Sequence, residues 1–141
     1  TVLEASPIGA VEFFHGYTYS AIPISMAAGL AMQNIIEKEN LFQRSKDMSP
    51  YFLDGLFSLK DIDIITDIRG YGLMGGIDIH SEDRPGKAGY GCFKKLFEGG
   101  LSLKATGDCL IMAPPFVCEK NHIDEIIDKL RIGITNYMKS K

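Results

Sequence analysis

Six residues near the middle of the chain, Gly70-Tyr71-Gly72-Leu73-Met74-Gly75, choose between two fold classes. Their GxGxxG spacing is that of a dinucleotide-binding loop, which needs its glycines to close a strand and open a helix. Here the residues that follow, Gly76-Ile77-Asp78-Ile79-His80, alternate apolar and polar, the period of a strand. The stretch before them, with Ile62, Ile64, Ile65 and Ile68, also reads as a strand. A glycine-rich hairpin therefore replaces the strand-to-helix turn, and nucleotide binding is set aside.

The segments on either side add helices. Pro23 suits a first helical turn, and Ile24, Ala27, Ala28, Ala31 and Ile35 follow at spacings of three and four. This helix ends near Glu39-Asn40, and its alanine-rich side favours close packing against a neighbour. A second helical stretch covers about 41–60, with a kink or break expected at Ser49-Pro50, a natural cap and restart. Phe52, Leu56, Phe57 and Leu59 are its expected core residues. After the charged loop SEDRPGKAG comes a helix near 89–99 carrying Phe93, Leu96 and Phe97. Two short strands, LSLKA and CLIMA, flank a turn at Thr106-Gly107-Asp108. In the last helix Ile123, Ile126, Ile127, Leu130, Ile134 and Tyr137 form one apolar stripe, with Asn121 as a cap and Asp124 in the first turn. Residues 1–22 read as loop with one short strand, around an aromatic knot of Phe13, Phe14, Tyr17 and Tyr19. The order predicts an α+β fold in which a long helix leads into a small, mostly antiparallel sheet covered by helices.

Composition narrows the function. The chain has 141 residues, 45% hydrophobic and 23% charged, enough for one compact domain with a real core. A net charge of −3 gives no broad basic field for nucleic acid or anionic membrane. No apolar run is long enough to span a bilayer, and the first residues lack the basic-then-apolar pattern of a secretion signal. Cys92, Cys109 and Cys118 form no CxxC pair, so reduced thiols in a cytoplasmic protein are expected rather than disulfides or zinc. The chain begins without methionine in what reads as mid-protein loop, which suggests a piece of a longer protein.

Three constellations bear on chemistry. Asp78, His80, Glu82 and Asp83 run from a strand end into a Pro/Gly loop, where a solvated loop explains them better than a metal site. His122, in the first turn of the last helix, is expected to be exposed. His15-Gly16-Tyr17-Thr18-Tyr19-Ser20 places two hydroxyl side chains before a helix start, where free N–H groups and the helix dipole favour an anion such as phosphate. Capping of the helix by Ser20 explains the same residues. Lys104, where a short strand meets a turn, could hold a carboxylate or simply be solvated.

Four strings in order along nearly the whole chain resemble class III aminotransferases of fold type I. VEFFHGYTYSAIP is similar to that family's HGxTYSgHP loop, and AAGLAMQNIIEKENLF to the helix linking its large and small domains. RGYGLMGGIDI resembles its paired small-domain strands, and LSLKATGDCLIMAPPFV the segment ending in its APPL turn. The ω-amino acid:pyruvate branch, which includes β-alanine:pyruvate transaminases, matches most closely.

The resemblance implies a homodimeric enzyme using pyridoxal 5'-phosphate, a small amino donor and pyruvate, with no nucleic acid or membrane partner. It implies that residues 1–40 end the large domain and 41–141 form the C-terminal small domain. Thr18, with Tyr17 beside it, takes the place of the threonine that holds the cofactor phosphate across the dimer. Lys104 takes the place of an arginine that binds the substrate carboxylate, with a point charge where the family has a bidentate fork. Ile22 stands where the family usually has histidine. The family's Schiff-base lysine lies upstream of the threonine loop, so the 141-residue chain alone is expected to be inactive. A remnant serving as a dimerisation module, or a stand-alone anion-binding domain using the Thr18 loop, are the alternatives.

Overall fold

A computed structural model describes residues 17–140, so Phe13, Phe14, His15 and the strand expected before residue 17 lie outside the described residues. The chain divides into two compact units, 1–38 and 39–141. The first contains helix α1, Pro23–Lys38, which opens with the proline as expected and buries none of its residues. Asn40 then adopts left-handed backbone, with φ 50°, a conformation asparagine tolerates better than most residues.

The second unit is built from helix α2 (Leu41–Phe57), a 3-10 turn (Ser58–Asp61), strands β1 (Ile65–Tyr71) and β2 (Met74–Ile79), helix α3 (Lys87–Glu98), strands β3 (Lys104–Thr106) and β4 (Cys109–Met112), and helix α4 (Lys120–Lys139). The four strands form one antiparallel sheet in the order β1-β2-β4-β3. Both hairpins are tight. Tyr71 pairs with Met74 and Thr106 with Cys109, which leaves two-residue turns that begin at Gly72 and Gly107. Those glycines have φ of 61° and 59°, the positive values that such turns require at their first central residue.

The GxGxxG run is thus spent on a hairpin and on packing. Gly70 pairs with Gly75 across it, and a Cβ on Gly75 would stand 2.2 Å from a Leu56 methyl. The missing side chains let α2 press onto the sheet. Ile77, Leu110 and Met112 face that side with Phe52, Leu56, Leu59, Cys92, Leu96, Ile123, Leu130 and Ile134, and these make the core.

Several local expectations change. Helix α2 passes through Pro50 without a break. The proline ring and its missing N–H cost about 3 kcal/mol in a helix interior. Full burial of Phe52 and Leu56 offsets that, at about 1.5–3 kcal/mol each. Phe57 and Phe97 are exposed, at 43% and 62%. In α3 the buried positions are Ala88, Gly89, Cys92 and Leu96, a narrow small-residue stripe. The aromatics Tyr90, Phe93 and Phe97 stack along a neighbouring face instead. Helix α4 is capped by Glu119 rather than Asn121. The Glu119 side chain accepts the His122 N–H, and His122 Nδ1 accepts the Glu119 N–H at 3.1 Å, which uses the exposed His122 as half of a capping box.

Candidate functional site

The turn before α1 closes on itself. Ser20 N–H donates to the Tyr17 carbonyl at 2.9 Å, and Tyr17 N–H donates to Ser20 Oγ at 3.0 Å. Ser20 therefore braces the turn from within. Among the described residues, the N–H groups of Thr18 and Tyr19 and the Thr18 hydroxyl find no acceptor or donor. Tyr17 and Tyr19 are 72% and 78% exposed. Ala21 occupies left-handed backbone at φ 59°, at the position where the family's loop carries glycine. A hydroxyl and two amide donors beside a helix start form a donor set whose chemistry suits a phosphate.

The second candidate, Lys104, belongs to the other unit and opens β3. The registers place it precisely in a row across the sheet. Arg69 pairs with Gly76, Gly76 with Ile111, and Ile111 with Lys104. Residues directly opposite one another share a face, so Arg69, Ile111 and Lys104 stand on the side away from the core. The adjoining row, Asp67, Asp78, Cys109 and Thr106, lies on the same face. Tyr71 and Met74 extend it and are 91% and 62% exposed.

Arg69 on this face is already committed. It grips Asp78 with both guanidinium nitrogens, at 2.7 and 3.0 Å, and donates to Asp67 at 2.7 Å and to Cys109 Sγ at 3.4 Å. The bond from Arg69 holds the Asp78 carboxyl below its ordinary range, and the two carboxylates hold the Arg69 proton more tightly still. Burial, then Asp78, pushes the Cys109 thiol up, away from the reactive thiolate. Lys104 is exposed and forms no ion pair among the described residues. It is the uncommitted cation of this face among the described residues. Beside Arg69, Gly76 lacks a side chain, and the hollow there, of about 550 Å³, is lined by Arg69, Tyr71, Met74, Cys109 and Ile111.

Tyr17, Thr18 and Lys104 are legible in the sequence as candidates, whereas the Arg69 network and the Asp108 cap are not. In the chain Asp78 stands near His80, Glu82 and Asp83, whereas its partner Arg69 sits across the hairpin. In the sequence Asp108 reads as a turn residue only. Its carboxylate accepts the Gly86 N–H at 2.7 Å and the Gly89 N–H at 2.9 Å, and so caps α3 from another element. No group of three or more His, Cys, Asp or Glu residues could hold a metal among those described. The loop acidic residues are accounted for in part by an Asp83–Lys87 ion pair. Cys92, Cys109 and Cys118 form no disulfide, and no described helix is long and apolar enough to cross a membrane.

A helix-led α+β unit with an antiparallel sheet, preceded by a hydroxyl-bearing turn, matches the family model of class-III aminotransferases over residues 1–133, and the chain belongs to that family. It is 39% identical over 124 residues to an omega-aminotransferase of Caulobacter vibrioides, a match covering 86% of this chain and 28% of that protein. It is 40% identical over 130 residues to a beta-alanine–pyruvate aminotransferase of Pseudomonas aeruginosa, covering 89% and 28%. Among solved structures, a transaminase with L-Ala superposes at TM-score 0.83 and 25% identity, over 90% of this chain and 32% of that one. An adenosylmethionine-8-amino-7-oxononanoate aminotransferase from Methanocaldococcus jannaschii superposes at TM-score 0.80 and 31% identity, over 89% and 30%. The chain spans about 28% of the length of the first two relatives.

Proposed function

We propose that this chain is the C-terminal portion of an aminotransferase that moves an amino group between an ω-amino acid or amine and pyruvate. In that enzyme residues 1–40 end the large domain and residues 41–141 form the small domain. The observation that carries the reading is the cross-strand row from Arg69 to Lys104. Its arginine is neutralised by Asp67 and Asp78, and its lysine, next to Ile111 in the row, forms no ion pair among the described residues. A short substrate with one carboxylate matches that arrangement.

Pyridoxal 5'-phosphate, when bound, supplies the electron sink that lets an amino group leave a carbon. The Thr18 hydroxyl and the amides of Thr18 and Tyr19 are the groups that would hold its phosphate, with Tyr17 beside them. In a homodimer these residues would serve the partner subunit's site. Lys104 would meet the substrate carboxylate with a single ammonium. That charge binds without the angular demand of a guanidinium fork, so it favours a carboxylate while orienting it less. None of the lysines in the chain has the sequence context of the family's cofactor-bearing lysine, so the 141-residue chain is expected not to transaminate alone.

Titration of the chain with pyridoxal phosphate, followed by borohydride trapping and mass mapping, tests this. The expected result is no stoichiometric lysine adduct, with activity toward an amine and pyruvate appearing once a large domain is supplied. A single-site adduct with turnover in the chain alone overturns the reading. Phosphate binding by the chain alone, lost in Thr18→Val, favours the alternative of a stand-alone anion-binding domain, and binding that is absent or survives the substitution refutes that alternative.

A further inference from the structure

Asp108 does more than turn the chain. Its Oδ2 accepts the Gly86 N–H and its Oδ1 the Gly89 N–H, so two amides at the amino end of α3 are satisfied from the β3–β4 hairpin. Helix α3 has no side-chain cap of its own, since its N-cap residue is Gly86. The Asp108 carbonyl also accepts the Ile79 N–H at 2.9 Å, which ties the same residue to the end of β2. The contact is close. A Cβ on Gly89 would stand 2.2 Å from the Gly107 carbonyl oxygen and 2.7 Å from the Asp108 Cα.

β3 is short, and Leu101 and Leu103 just before it pack against the core. It is an edge strand of three residues, joined to the sheet through Lys104–Ile111, Ala105–Leu110 and Thr106–Cys109. Its outer residues, Lys104 and Thr106, are exposed, and only Ala105 packs inward. Lys104 thus stands on a three-residue strand held before it by Leu103 and after it by the Asp108 clamp.

We propose that Asp108 is a positioning residue for Lys104. By clamping the β3–β4 turn onto α3, it fixes where the Lys104 ammonium stands on the open face of the sheet, and so sets recognition of carboxylate-bearing reactants. The inference rests on the reading of Lys104 as the carboxylate partner. Asp108 touches no reactant and acts through the strand.

The test uses the full-length enzyme, with Asp108→Ala and Asp108→Asn each made with Lys104 intact and with Lys104→Met. kcat and KM are measured for pyruvate and for an aldehyde acceptor without a carboxylate. Asp108→Ala is expected to raise the pyruvate KM about ten- to hundredfold, as misplacement of a binding group does, while the aldehyde KM and kcat hold. Asp108→Asn, which keeps one acceptor oxygen but turns an NH2 donor toward the second amide, recovers part of the loss, and in Lys104→Met the alanine adds nothing. Equal losses for both acceptors in both backgrounds overturn the proposal, because a purely structural cap would produce them. Gly89→Ala presses the same turn from the helix side, and serves if Asp108→Ala does not fold. It is expected to give the same selective rise in pyruvate KM, and equal losses for both acceptors count against the proposal.

Hydrogen exchange of the β3–β4 amides in the 141-residue chain separates the two levels of the argument. Faster exchange in Asp108→Ala supports the clamp, and unchanged exchange refutes it whatever Lys104 does. If exchange quickens but Lys104→Met leaves the pyruvate KM unchanged, the proposed role of Lys104 fails, and the positioning role fails with it.

Discussion

Replacing Gly89 with alanine sets a gain against a clash of known position. Gly89 lies in the first turn of α3, where alanine is the better helix former by about 1 kcal/mol. The new Cβ would meet backbone, 2.2 Å from the Gly107 oxygen and 2.7 Å from the Asp108 Cα, and backbone pinned in a hairpin cannot swing aside. Relief comes either by strained packing, at about 1–3 kcal/mol, or by lifting the turn and losing the charge-assisted bond to Asp108, at about 1.5–3 kcal/mol. After the propensity gain, a net loss of about 0–2 kcal/mol is expected. Gly55→Ala is the matched control. Its Cβ meets the flexible end of Ile127, at 2.9 and 3.3 Å, and a rotamer shift of about 0.5–1.5 kcal/mol nearly cancels the same gain. Urea unfolding of both variants is the assay, read as a change in midpoint at constant slope. If Gly89→Ala is as stable as Gly55→Ala, the turn is not pressed against α3, and the argument for the Asp108 clamp weakens with it.

Four other outcomes follow from the same geometry. Phe52→Ala, at a fully buried site, is expected to cost about 3–5 kcal/mol in urea unfolding. Asp78 contributes stability above the ordinary carboxylate pKa, because its folded value is depressed by Arg69, and that stability is lost as pH falls through the folded value. The stability gap to Asp78→Asn is therefore expected to shrink in acid. At neutral pH it stays within about 1 kcal/mol, because the side chains of the pair remain 54% and 35% exposed. Ala21→Gly removes a left-handed alanine and is expected to gain about 0.5–1 kcal/mol, read as slower hydrogen exchange of the α1 amides. In the full-length enzyme Lys104→Arg restores a two-pronged grip, and the pyruvate KM is expected to fall about three- to tenfold. An unchanged or higher KM argues against Lys104 as the carboxylate partner.

Much of the candidate site was legible because its signals are local. Tyr17, Thr18 and Lys104 stand out through hydroxyls before a helix start and a lysine at a strand–turn boundary. The Arg69 network escaped notice because its partners, Asp67, Asp78 and Cys109, meet only once the strands are in register. Asp108 escaped notice for a related reason, since its hydrogen-bond partners lie 22 and 19 residues earlier in the chain. Pairing across a sheet is written in no single stretch of chain.

What the sequence by itself determined is the alternation that makes 65–79 a hairpin, the glycines its turn requires, and the apolar stripe of α4. Each of these rests on a repeat a few residues long, imposed by strand or helix geometry. Only the tertiary structure decided that α2 runs unbroken through Pro50, that Phe57 and Phe97 stay outside while Cys92 and Leu96 go in, and that Glu119 rather than Asn121 caps α4. In α2 and α3 the energy of burying a face against a partner exceeds a local preference of a few kcal/mol, and which face that is depends on what lies opposite.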